Sequence, residues 1–93
     1  MNDKFRIKIN KALVDNGWKC DVAEGELMLL ELMVKRQNGS YNSFTENAFL
    51  TDMGVTKKDG SPNSVGKSFM MYMLYESSNR RPVAFDLMEK YRR

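Results

Sequence analysis

Seven polar side chains between residues 57 and 68 carry the most suggestive chemistry: Lys57, Lys58, Ser61, Asn63, Ser64, Lys67 and Ser68. Asparagine and lysine hydrogen-bond the edges of nucleic-acid bases, serine reaches bases or phosphates, and paired lysines in a turn suit phosphate oxygens. Such groups suit recognition of a partner. Ser and Asn are also favoured at a helix start for capping alone, so the exposed beginning of an ordinary core helix is the competing reading.

Bond-making chemistry is narrowed further by what the sequence lacks. There is no histidine, so His-dependent triads and Cys–His dyads are excluded, and catalysis would rest on carboxylates, lysine or tyrosine alone. Cys20 is the only cysteine; it has no internal disulfide partner, and one thiolate without histidine assembles no zinc site of the usual ligand types. The expectation is a binding protein with no catalytic residues, metal or cofactor.

Punctuation divides the chain into about five helical segments that must position the polar cluster. The first is expected from near Asp3 to Asn16, with Asn2 or Asp3 as N-cap, Phe5, Ile9, Ala12 and Leu13 on one stripe, and Gly17 as the stop. Phe5, Ile7 and Ile9 also alternate with Lys4, Arg6 and Lys8, which leaves a short N-terminal strand open. Asp21 and Glu24 stand at capping-box spacing before a second helix that reaches about Gln37, closed by Asn38-Gly39. Ser43, or Thr45, caps a third, with Ser43 and Glu46 again at capping-box spacing; Phe44, Ala48, Phe49 and Met53 are expected to face inward, and Gly54 follows the last turn.

The fourth helix is the one that displays the cluster. Asp59-Gly60 is a strong turn signal, and Ser61-Pro62 forms a good N-cap and N1 pair for a helix running to about Ser77. Its first half is small or polar, whereas Phe69 to Leu74 must be largely covered. Two helices joined by a polar turn are the layout of a helix-turn-helix, in which the second helix offers its leading residues to the major groove of DNA. A last helix is expected from Val83 to about Tyr91, opened by Pro82, with Phe85, Leu87 or Met88, and Tyr91 as candidates for burial.

The fold class is therefore all-α: a compact bundle of about five short helices over one 93-residue domain containing the helix-turn-helix. If Arg80 to Phe85 paired as a strand instead, the fold would be winged, with Arg80 and Arg81 on the wing. No apolar run approaches the ~20 residues needed to cross a bilayer, and the N-terminus has no signal-peptide core, so a cytoplasmic protein without membrane contact is expected.

Net charge is +3. Residues 1–20 hold five basic and two acidic side chains, residues 21–54 two and six, and residues 55–93 eight and four. A basic start and end around an acidic middle suggest a polarised surface with an anionic partner, although a mixed solvated surface gives the same count. Arg80 and Arg81, with Lys90, Arg92 and Arg93, form the densest positive region. They suit a phosphate backbone, with Tyr91 for stacking, or equally a solubilising tail.

The second helix is apolar on nearly every face except at Glu31. It is either the buried centre of the domain or half of a contact. In so small a domain its burial favours self-association, with Leu27, Met28, Leu30 and Met33, and the methionines Met70 and Met73, as the candidate dimer or partner surface.

The segment LTDMGVTKKDGSPNSVGKSF resembles the helix-turn-helix in the DNA-binding regions of large serine recombinases. The matching residues are Leu50, Gly54, Val55, Thr56, Lys57, Gly60, Ser61, Ser64 and Val65, about a quarter of the chain. The resemblance implies a turn basic enough to meet phosphates and a recognition helix beginning at Pro62. The chain departs from the pattern at Gly66-Lys67, where helix formers usually stand, and it lacks the recombinase catalytic domain. Residues 60–68, GSPNSVGKS, resemble the phosphate loop of small GTPases with a serine inserted. The extra residue breaks the wrap of amides around a phosphate, and no apolar strand precedes it.

Two functional readings follow. One is a small DNA-binding protein, dimeric, serving as a transcriptional or recombination accessory factor. The other is a phage or mobile-element protein that docks Met-rich apolar helices on a host protein.

Overall fold

Five α-helices form close to the positions their caps and glycines dictate, in a computed structural model that describes residues 3–76 and 81–91. They are α1 (Asp3–Asp15), α2 (Val22–Gln37), α3 (Phe44–Met53), α4 (Ser64–Met71), continued by a π-helical turn Tyr72–Glu76, and α5 (Arg81–Lys90). The all-α bundle is confirmed. The N-terminal alternation of Phe5, Ile7 and Ile9 resolves as helix, with Phe5 and Ile9 inward and Ile7 exposed. No strand ladder occurs among the described residues, and residues 81–90, where a wing was the alternative, are helical.

The caps account for the boundaries. Asp21 accepts from the Glu24 N–H to open α2 (2.8 Å). At its end Ser40 donates to the Lys35 carbonyl and Gly39, at φ 75°, to that of Arg36, which uses up the orphan acceptors of the last turn. Ser43 and Glu46 form the complete capping box of α3: the Ser43 hydroxyl accepts from the Glu46 N–H, and the Glu46 carboxylate accepts from the Ser43 N–H at 2.8 Å. Lys35 adds a 3.7 Å ion pair to Glu46, tying α2 to α3.

That backbone hydrogen bond from Ser43, followed by the Ser43 hydroxyl and the Lys35 ammonium, holds the Glu46 carboxyl below the usual carboxylate range. A carboxylate whose folded pKa is depressed contributes stability above its unfolded pKa and loses it as pH falls through the folded value. Ser43→Ala is expected to cost about 1 kcal/mol at neutral pH, and Glu46→Gln to flatten the decline of stability below the ordinary glutamate value of 4.5. Urea titrations of both variants at neutral and acid pH check this.

α2 is the centre of the molecule, packed by α1, α3 and α5. Gly25 lets α1 approach closely: a Cβ there would stand 2.7 Å from Leu13 Cδ1. One buried cluster runs from Phe5, Ile9 and Leu13 through Leu29, Leu30 and Met33 to Phe49, Met53, Phe69 and Met73. Phe5 stacks on Phe69 at 5.4 Å between ring centroids, joining α1 to α4. The radius of gyration, 12.2 Å, is that of a single globule of this length.

Leu30, Met33 and Met73 are therefore core, at 0%, 1% and 0% exposure, and are corrected from the expected partner surface. Leu27, Met28 and Met70 are half-buried and pack against the same cluster. The difficulty of covering an all-round apolar helix is met by surrounding it with the other helices, so α2 supplies no ground for a dimer.

Two aromatics also depart from expectation. Phe44 is exposed, because Phe49, Leu50 and Met53 define the inner face of α3 and Phe44 lies opposite them. Phe85 is half outside because the buried stripe of α5 is Ala84, Leu87, Met88 and Tyr91, at i, i+3, i+4 and i+7. The end of α5 is fastened to α2: the Tyr91 hydroxyl donates to Glu31 Oε1 (2.5 Å), Asn38 Nδ2 donates to the Tyr91 carbonyl, and Lys90 lies 3.8 Å from Glu31. The π-helical turn after α4 contributes to the core. Within it Met73 and Leu74 are both buried.

Candidate nucleic-acid interface

α3 ends at Met53 and α4 begins at Ser64, so ten residues separate them. This is longer than the three- or four-residue connection of the compact helix-turn-helix, and it is a small β-hairpin. Gly54, at φ 63°, ends α3 by donating to the Leu50 and Thr51 carbonyls. Val55 then turns fully inward. Thr56 and Pro62 face each other as an antiparallel pair, flanked by hydrogen bonds from Lys57 N–H to the Ser61 carbonyl (2.7 Å) and from Asn63 N–H to the Val55 carbonyl (3.0 Å).

Lys58 and Asp59 form the tip, and Gly60, at φ 90°, closes it by donating to the Lys57 carbonyl. That left-handed residue after the turn is the bulge geometry favoured by three-residue hairpin loops. Asp59 Oδ1 accepts from both the Ser61 hydroxyl (2.6 Å) and its N–H (2.9 Å), and the hydroxyl bond is the leading reason its carboxyl sits below the usual range.

The hairpin moves the start of the fourth helix. Asn63, and not Ser61, is the N-cap of α4, and Pro62 lies in the hairpin instead of at N1. The Asp-Gly turn needs a partner strand on each side. Proline fits this one because the N–H it lacks would point away from Thr56 in a pair of this type.

Ser61 and Asn63 are therefore removed from the expected reading set. The Ser61 hydroxyl is given to Asp59. Asn63 uses both ends of its amide, Oδ1 accepting from the Gly66 N–H (2.9 Å) and Nδ2 donating to the Gly54 carbonyl (2.8 Å). It braces the two ends of the connector, and a base edge would have to displace both bonds. Asn63→Ala is accordingly expected to lower stability by about 1–2 kcal/mol, with the duplex preference of the folded fraction unchanged. Thermal melting and competition binding with altered duplexes check the two halves.

What the fold leaves exposed is more limited and better defined. Ser64, Lys67, Ser68 and Met71 form the outer face of α4, opposite Gly66, Phe69 and Met73. Lys57 and Lys58 stand exposed on the hairpin. None of these three lysines makes an ion pair among the described residues, although Lys57 is near enough to Asp59 to favour its charged form. Arg80 and the side chain of Arg81 lie outside the described residues, as do Asn2, Ser77, Arg92 and Arg93.

Two further cations are brought to this region by the fold. Lys8 on α1 places its ammonium 3.6 Å from where a Cβ on Gly54 would stand, and Arg36, in the last turn of α2, lies across Gly60. No local signal marked either, because both are distant in sequence from the hairpin they meet. The glycines of the GTPase-like stretch are also explained by packing: Gly60 closes the turn under Arg36, and Gly66 admits the Val55 carbonyl.

Elsewhere the surface offers little chemistry. Burial, ahead of Glu24 and Asp21, pushes the half-buried Cys20 thiol up, away from the reactive thiolate. No cluster of three His, Cys, Asp or Glu suited to a metal ion occurs among the described residues, and no described helix is long and apolar enough to cross a membrane. The exposed apolar side chains Val65, Met71, Tyr75, Val83 and Phe85 fall on α4, the π turn and α5, with the Tyr75 and Phe85 rings edge to face at 6.5 Å. Comparison with protein-family models, with curated proteins and with solved structures finds no match to this chain.

Proposed function

We propose that the unit of α3, hairpin and α4 binds duplex DNA as an extended helix-turn-helix, serving as an accessory factor in transcription or recombination and not as an enzyme. The observation that carries this reading is the combination of three exposed lysines that make no ion pair among the described residues, Lys57, Lys58 and Lys67, with Ser64 and Ser68 on the same outer face of α4. Lys57 and Lys58 meet phosphates, which fixes position, while Ser64, Lys67 and Ser68 approach base edges. The unit is held rigidly enough for this, because Asn63, the Thr56–Pro62 pair and buried Val55 lock hairpin to helix.

Binding to short duplexes across ionic strength tests the proposal. The two phosphates neutralised by Lys57 and Lys58 predict a slope of log affinity against log salt of roughly −1.8, so affinity falls roughly twelvefold from 50 to 200 mM salt. The exposed apolar group around Met71, Tyr75 and Phe85 favours the second reading, docking on a host protein, and an interface of that kind is nearly indifferent to salt. Absence of duplex binding at low salt would remove the first reading. A homodimer is not required by either, and solution mass decides it.

A further inference from the structure

Beside the hairpin lies a recess of about 230 Å³ lined by Arg36 from α2, Asn47, Leu50 and Thr51 from α3, and Thr56 from the hairpin. It has room for several waters, each filling ~30 Å³ of liquid, and no carboxylate lines it. Arg36 is exposed and, unlike its neighbour Lys35, which is paired with Glu46, makes no ion pair or hydrogen bond among the described residues. Its position is nevertheless defined. Its stem crosses Gly60 so closely that a Cβ there would stand 3.0 Å from Nε and 3.1 Å from Cγ.

Thr56 supplies the opposite wall. Facing Pro62 without hydrogen bonds between the two, it turns its N–H away from that partner toward the open edge of the hairpin, and its hydroxyl is uncommitted. Two other donors are already engaged. Thr51 Oγ1 donates to the Asn47 carbonyl, and Asn47 Nδ2 to that of Asn42. The recess is thus lined by one free guanidinium and one free hydroxyl, beside an edge where Thr56 turns out its N–H and its C=O, with Lys57 and Lys58 next along the hairpin. A cation with a planar fork of N–H groups, no carboxylate beside it and two lysines close by is the composition that binds a phosphate.

We infer that the recess between Arg36 and Thr56 is a phosphate-binding site, and that its ligand is a backbone phosphate of the duplex adjoining those held by Lys57 and Lys58. The inference rests on the DNA-binding reading for its source of phosphate, and on the recess alone for its chemistry. Arg36 clamps two phosphate oxygens, and Thr56 donates to a third from the hairpin side. The site fixes how the hairpin is laid against the backbone, because α2, α3 and the hairpin must all be in place to form it.

Titration of the ¹⁵N-labelled chain with inorganic phosphate, against chloride at matched ionic strength, reads the site directly. The Arg36 Nε–H and Thr56 amide signals are expected to shift saturably with phosphate and not with chloride, and Arg36→Ala to abolish the Thr56 shift. The same variant is expected to keep the parent melting temperature, to bind duplex about fivefold more weakly, and to lower the salt slope by about 0.9.

Shifts without any duplex binding would uphold the phosphate site while removing DNA as its source. Normal, salt-dependent duplex binding in Arg36→Ala, with no phosphate-specific shift at Thr56 in the parent, would overturn the site and leave DNA binding intact. Arg36→Lys, which keeps the charge but loses the fork, is expected to recover only part of the affinity. Full recovery would overturn the clamped geometry.

Discussion

Gly66→Ala is expected to lose about 3 kcal/mol of stability, a large part of the roughly 5–14 kcal/mol that a chain of this length has to lose. A Cβ at this position would fall 2.2 Å from the carbonyl oxygen of Val55, 3.0 Å from Met33 Cε and 3.2 Å from Pro62 Cβ. The methionine can swing aside, but the carbonyl cannot. It accepts the Asn63 N–H and belongs to the residue that plugs the hairpin into the core, so moving it disturbs the hairpin pairing and the α4 cap together.

Helix propensity opposes this by about 1 kcal/mol, since alanine is the better helix former, and does not reverse it. Gly25→Ala is the internal control. There the nearest atoms are the side-chain carbons Leu13 Cδ1 and Ile9 Cγ2, at 2.7 and 3.0 Å, which can repack, so a loss of only about 1 kcal/mol is expected. Denaturant unfolding of both variants checks the contrast. A Gly66→Ala chain as stable as its parent would mean that hairpin and helix do not meet as described.

The double variant Lys57→Ala with Lys58→Ala is expected to bind every duplex roughly tenfold more weakly and to lower the salt slope by about 1.8, two phosphate contacts having been removed. Both side chains are exposed and outside any ion pair among the described residues, so melting temperature should hold within the small range typical of surface substitutions. Lys67→Ala differs in kind. Lys67 stands with Ser64 and Ser68 on the outer face of α4, and its loss is expected to change which duplexes are preferred. If the hairpin double variant and Lys67→Ala behave alike and neither alters the salt slope, these lysines are solvated surface and the interface lies elsewhere.

Helix existence and the stop positions were legible because they are local. Asp21, Ser43, Gly17, Gly39 and Gly54 act within one turn of their own positions, where a short side chain satisfies an orphan N–H or a glycine takes a left-handed φ without strain. Asp59-Gly60 was legible as a turn for the same reason. Its consequence was not, because the turn pulled Pro62 into a pair with Thr56 and passed the capping role on to Asn63, whose amide bridges Gly54 and Gly66.

The sequence by itself determined an all-α chain, the places where its first three helices begin and end, and a surface chemistry of lysines and serines without histidine. These follow from residue type, spacing and backbone sterics over a few positions. Only the tertiary structure decided that the apolar α2 is enclosed by its own chain, that Phe44 and Phe85 face water, and that Arg36 and Lys8 come to lie against the hairpin. Those outcomes depend on contacts between residues far apart in sequence, where burial is shared among whole helix faces and no short pattern records which face will be covered.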